Sequence, residues 1–256
     1  MTQPDIFAED APWYERLPEL RVLLRAYNAV PVAERFVDTD DTPSRAMRSY
    51  LRIATNFPQR AARATADLVG VLRAGLGNPE VASRLATMCP ITPLPGRTPE
   101  DCLGAMIPHL VAFTEAGEQT APATPDTPWE WRERLPNLSE LFLGYFHQDA
   151  DDHYHEIVER YARTEHAHQV AAALHELAEL HDLCGENDEM LTDAVVALGS
   201  EQLPTYNAPC GPWLDDVGLR LALHLDVMGY QRPDGPDPAY ARHDVRCAPT
   251  GTGGPT

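Results

Sequence analysis

The chain has 256 residues, 43% of them apolar, enough to bury one large core or two modest ones, which excludes a wholly disordered chain. Its formal charge is −19, from 39 acidic and 20 basic residues, and every basic residue is Arg because the sequence has no Lys. Such a surface repels nucleic acid phosphates and anionic membranes, attracts basic partners, and offers no lysine as a nucleophile or phosphate ligand.

Residues 1–11 read as a tail without the basic and apolar stretches of a secretion signal, and no apolar run approaches the roughly 18 residues of a membrane span. A cytoplasmic protein is expected. From Glu15 to Tyr27, "ERLPELRVLLRAY" places Leu20, Leu23, Leu24 and Tyr27 at i, i+3, i+4 and i+7, one face of an amphipathic helix. Residues 12–114 are read as one helical domain. Residues 115–128, "EAGEQTAPATPDTP", have regularly spaced prolines and no apolar period, as an interdomain linker does.

Beyond the linker the pattern returns. "ERLPNLSELFLGY", Glu133 to Tyr145, matches the first segment at seven of thirteen positions, with Leu138, Leu141, Phe142 and Tyr145 on the same helical face. Further on, Leu68, Asn78, Glu80 and Leu94-Pro95 align with Leu177, Asn187, Glu189 and Leu203-Pro204, so the first copy is longer in the loop around "PVAERFVDTDDTP". Matching blocks in the same order point to a duplicated domain of about a hundred residues rather than a short-period solenoid.

In the second copy, residues 129–228, a helix beginning at Pro136 is expected to run to about His147. Asp149 to Asp152 are placed to cap a second helix carrying Ile157, Val158 and Tyr161. Val170, Leu174, Leu177 and Leu180 mark a third, closed by Gly185. Met190, Leu191, Ala194, Val195 and Leu198 mark a fourth, stopped at Gly199, and Leu214, Val217, Leu221 and Leu225 a fifth. A hairpin near "LPTYNAP" stays open, and residues 229–256 are expected to be a disordered Pro/Gly-rich tail. The fold class expected is mainly α: two tandem helical-bundle domains, each of about four to five helices. Cys89, Cys102, Cys184, Cys210 and Cys247 are odd in number and lack a CxxC spacing, as free thiols do.

The stretch "LGYFHQDADDHYHE", residues 143–156, is the densest in chemistry, and seven of the ten histidines lie between His147 and His181. Metal binding by a helix needs ligands at i and i+4, as in HExxH. "HELAELH" supplies only His175 and Glu179, and the pairs His153/His155 and His166/His168 are spaced to face different sides of a helix. No metal, cofactor or catalytic residue is assigned, and no GxSxG, phosphate-loop or dinucleotide motif occurs. A metal-dependent hydrolase built on this His/Asp-rich corner, and a helical scaffold or regulatory module, are the alternatives to a binding protein. Charge favours the last: residues 1–117 hold 12 Arg against 14 acids, whereas residues 118–256 hold 8 Arg against 25.

Gly144-Tyr145-Phe146-His147-Gln148-Asp149, followed by acidic and aromatic residues and closed by "PWLDDVGLRL" with Trp213-Leu214, resembles the CdiI-type immunity proteins of contact-dependent growth inhibition. The resemblance covers residues 129–226. It departs at Ala150, where an aromatic residue is expected, and in the first copy, which reads Asn28-Ala29-Val30-Pro31 after Tyr27. The resemblance implies a non-enzymatic cytoplasmic inhibitor that occludes a cognate toxin domain; the acidic second copy suits a basic, nuclease-like toxin. Tyr145 is expected in the core, Gly144 at a close helix approach or the helix end, and Phe146 and His147 off the apolar stripe. The signature is either a helix-terminating corner or part of the partner surface. The candidate toxin-binding residues are His147, Asp149, Asp151, Asp152 and Glu156.

Overall fold

The computed structural model describes residues 17–57, 59–117, 124–147, 153–204 and 208–230. These residues form helices and connecting turns, with no strand among them. The chain divides into two compact units, Met1–Pro125 and Asp126–Thr256. No described helix is long and apolar enough to cross a membrane.

The first unit contains α1 (Pro18–Asn28), a 3-10 turn (Val32–Glu34), α2 (Arg45–Asn56), α3 (Gln59–Ala74), α4 (Pro79–Met88), α5 (Pro99–Gly104) and α6 (Ile107–Glu115). The second contains α7 (Pro128–Arg134), α8 (Pro136–Tyr145), α9 (Tyr154–Thr164), α10 (Ala167–Cys184), α11 (Asp188–Leu198) and α12 (Cys210–Val227). In the first, α1 packs on α2, α3 and α4, and α6 packs on α2 and α3. In the second, α8 packs on α9, α10 and α11, and α12 on α9, α10 and α11.

The helix sequences explain these contacts. Ala61, Ala64, Leu68 and Val71 of α3 are buried, as are Val170, Ala173, Leu177 and Leu180 of α10, each set a single stripe at three- and four-residue spacing. Asn78 caps α4 through the Glu80 amide and Asn187 caps α11 through the Met190 amide. Helix α10 ends where Gly185 takes a positive φ of 58°, and α11 where Gly199 takes 113°.

The two leading helices, α1 and α8, share a difficulty: each starts after a leucine, Leu17 or Leu135, whose side chain cannot accept a hydrogen bond from the first free amides. A carboxylate from a neighbouring helix does so instead. Asp67 Oδ2 on α3 accepts from the Leu20 amide at 3.0 Å, and Glu176 Oε2 on α10 accepts from the Leu138 amide at 2.8 Å. Glu176 also meets the Asn137 carboxamide at 2.5 Å. Where the second unit has Asn137, the first has Glu19, buried and bonded to Arg60 Nε at 2.5 Å and to the Tyr50 hydroxyl at 3.2 Å.

Some expectations need correction. Helix α8 stops at Tyr145, two residues short of His147, and α7 precedes it, with Thr127 accepting from the Glu130 amide as its cap. Helix α9 is preceded by His153 rather than by an aspartate, and His153 makes no side-chain cap bond. Tyr230, assigned to the tail, donates its amide to the Leu225 carbonyl and packs against the core. Cys89, Cys102, Cys184 and Cys210 are buried free thiols. Cys247 and residues 231–256 lie outside the described residues.

Candidate functional site: the signature corner of the second unit

Helix α8 brings the signature to a corner between α9, α11 and α12. Leu138, Leu141 and Phe142 point into the core, and the helix closes with the Phe146 amide donating to the Phe142 carbonyl at 3.1 Å. At Phe146 the backbone leaves the helix with φ −97° and ψ 50°. The ring then turns inward and is fully buried, edge-on to Phe142 at 5.5 Å and to Trp213 of α12 at 5.6 Å. Phe146 therefore does not lie off the apolar stripe. Its position four residues after Phe142 carried that signal, because i and i+4 side chains are neighbours on a helix and stay within reach one residue past its end.

Tyr145 is only half-buried. Its ring stands edge-on to Tyr161 at 5.2 Å, and its hydroxyl donates to Glu165 Oε1 at 2.8 Å. Desolvation, with the Glu165 carboxylate second, raises its pKa. Gly144 serves neither expected purpose: it lies on the exposed side of α8, and a Cβ built there meets no atom within 4 Å. Gly144→Ala is expected to raise stability by about 0.5–1 kcal/mol, read as a higher melting temperature, because alanine orders in a helix at lower entropic cost.

The corner is pinned from the turn after α11. The Glu201 amide donates to the Phe146 carbonyl at 2.9 Å and Gln202 Nε2 to the His147 carbonyl at 3.1 Å. The end of α11 is in turn held by Arg132 Nε on the Ala197 carbonyl and Ser139 Oγ on the Leu198 carbonyl. Residues 201–202 were not singled out in the sequence, since a partner 55 positions away leaves no local pattern.

Of the candidate partner residues, His147 and Glu156 are exposed, Glu156 in the first turn of α9. Gln148, Asp149, Asp151 and Asp152 lie outside the described residues. At the start of α9, Asp216 of α12 accepts from Arg220 Nε at 2.7 Å and from the Tyr154 hydroxyl at 2.9 Å, with His155 Nε2 at 3.6 Å. The bonded Arg220 guanidinium holds the Asp216 carboxyl below the usual carboxylate range.

Among the described residues no group of three His, Cys, Asp or Glu side chains is placed to hold a metal. Glu179, the partner offered for His175, instead pairs with Arg134 at 2.7 Å. His166 and His168 do not diverge as expected. His166 precedes α10 in extended conformation, which lets the two rings stack at 5.7 Å.

The described residues of the second unit thus form a helical domain with a buried aromatic corner and exposed acidic side chains. Residues 134–221, wholly within it, match the family model described as CdiI immunity protein, a similarity that covers about a third of the chain. Neither the curated proteins nor the solved structures yield a match to the chain.

Proposed function

We propose that the chain is an immunity protein that binds a cognate toxin of a contact-dependent growth inhibition system and blocks it by occlusion in the cytoplasm. The observation that carries the reading is the family match over residues 134–221. The toxin domain is read as basic and nuclease-like, because the 25 acids of residues 118–256 outnumber 8 Arg and would occupy a surface shaped for phosphates. His147, Asp149, Asp151, Asp152 and Glu156 are the candidate rim of that interface.

The first unit is read as a diverged duplicate. In support, Asp67 and Glu176 bond the amides of Leu20 and Leu138, two pairs that fall at the same offsets as the sequence repeat. Lacking the signature and the charge excess, it is assigned a supporting role.

Co-expression tests the function. Cells carrying the toxin domain encoded beside this gene are expected to grow when the full chain is present and to stop when it is absent. Failure to protect against any toxin encoded alongside it overturns the proposal.

A further inference from the structure

Charge steers partners together, but affinity comes from a desolvated, largely apolar centre, often built on aromatic anchors, with charges at the rim. The acidic exterior therefore leaves a question: where is the apolar centre? Of the large apolar side chains exposed among the described residues, Val32 and Leu94 belong to the first unit, while Leu143, Val196, Leu203, Leu219, Leu223, Val227 and Met228 belong to the second. The unit with the charge excess is also the unit that shows apolar surface.

Three of these side chains line up. Leu219, Leu223 and Val227 recur every four residues along α12 and are 57%, 54% and 85% exposed. Pro212 and Asp216 continue the same face toward the start of the helix at spacings of three and four residues. There it meets an open cavity of about 410 Å³ walled by Phe146, Tyr154, Leu203, Ala208, Pro212 and Trp213. From Pro212 to Leu223 the helix rises about 16 Å, the span of a protein contact rather than of a single side chain. The cavity wall is mostly aromatic and aliphatic, which suits an apolar side chain.

We infer that the exposed face of α12 and the cavity at its first turn form the docking centre for the toxin. The cavity takes a large apolar side chain of a basic partner, and Leu219 and Leu223 cover the surface beside it. The assignment rests on the toxin-blocking function proposed above and locates it. Complementary charge selects this occupant over a second copy of the chain: Asp215, Asp216 and Asp226 flank the stripe, with Arg220 already bonded to Asp216. A basic protein is attracted to that flank, whereas two copies would each bring a charge of −19 to the contact. Phe146, a core residue, also borders that cavity.

Binding of a catalytically inactive form of the toxin domain encoded beside this gene, measured with the full chain, tests the assignment. Ala208→Trp fills the cavity and Leu223→Arg breaks the stripe; both positions are exposed, and thermal melts check that the fold survives. Each variant is expected to weaken binding by about tenfold or more, chiefly through faster dissociation, while Val32→Arg in the first unit leaves it unchanged. Wild-type affinity in both variants overturns the docking centre and leaves the immunity function standing. So does a wild-type dimer that Leu223→Arg dissociates without weakening toxin binding. A wild-type chain that binds no such toxin overturns the function, and the docking centre with it.

Discussion

Replacing Glu176 by alanine is expected to destabilise the second unit by about 2–3 kcal/mol, whereas glutamine there is expected to cost little and to flatten the dependence of stability on pH. Alanine strands the Leu138 amide at the start of α8 and the Asn137 carboxamide beside it, both buried, and an unsatisfied buried group costs about 1–3 kcal/mol. Burial is the largest influence on Glu176 and pushes its pKa up to about 8, against the lowering effect of the Leu138 and Asn137 hydrogen bonds. A carboxyl whose folded pKa lies above its unfolded value binds its proton more tightly when folded. Its contribution to stability is therefore fully present below about pH 4.5 and is lost as pH rises toward 8. Asp67, raised to about 6 by burial, acts in the same direction in the first unit over a lower and narrower range.

Protonated Glu176 can donate its O–H to the Asn137 carboxamide oxygen once that amide is turned over, in keeping with the 2.5 Å separation, and still accept from the Leu138 amide. Glutamine reproduces this pattern without a titrating group. Thermal melts between pH 5 and pH 8 should show the wild type losing stability with rising pH and Glu176→Gln losing less. Equal slopes in the two proteins would mean that Glu176 ionises freely where it lies.

Helix stripes were legible because a period of 3.6 is written locally: Leu138, Leu141 and Phe142, or Leu214, Val217, Leu221 and Leu225, announce their buried faces without knowledge of what they face. Glycine stops at Gly185 and Gly199 were equally local. The capping carboxylates were not legible, since Asp67 and Glu176 look like ordinary polar-face residues until the uncapped starts of α1 and α8 are brought against them. The corner was half legible. Its residues stood out by type, but the direction of the Phe146 ring depended on one non-helical backbone step, and its pins came from residues 201–202. The histidines misled for the opposite reason: they are conspicuous in composition, and the structure gathers no three potential ligands among the described residues.

Phe146→Ala is expected to be the most damaging single change in the signature, costing about 3–5 kcal/mol, whereas His147→Ala should leave the melt nearly unaltered. The fully buried Phe146 ring is edge-on to both Phe142 and Trp213, and aromatic pairs of this kind add about 0.5–1.5 kcal/mol each to the area they bury. The cavity left by alanine lies where α8, the 201–202 turn and α12 meet, and the Phe146 carbonyl bond to the Glu201 amide limits how far the backbone can collapse into it. For a unit of about a hundred residues this corresponds to a fall in melting temperature of more than about 10 °C. Protection against the toxin should then fail at the temperature where the variant unfolds and return on cooling, as for a fold defect. His147 presents an exposed side chain and uses only its carbonyl to hold the corner, so its alanine variant should keep the fold and alter protection only through the partner surface. A Phe146→Ala protein that melts like the wild type would show that the ring is no keystone and that the signature acts at the surface.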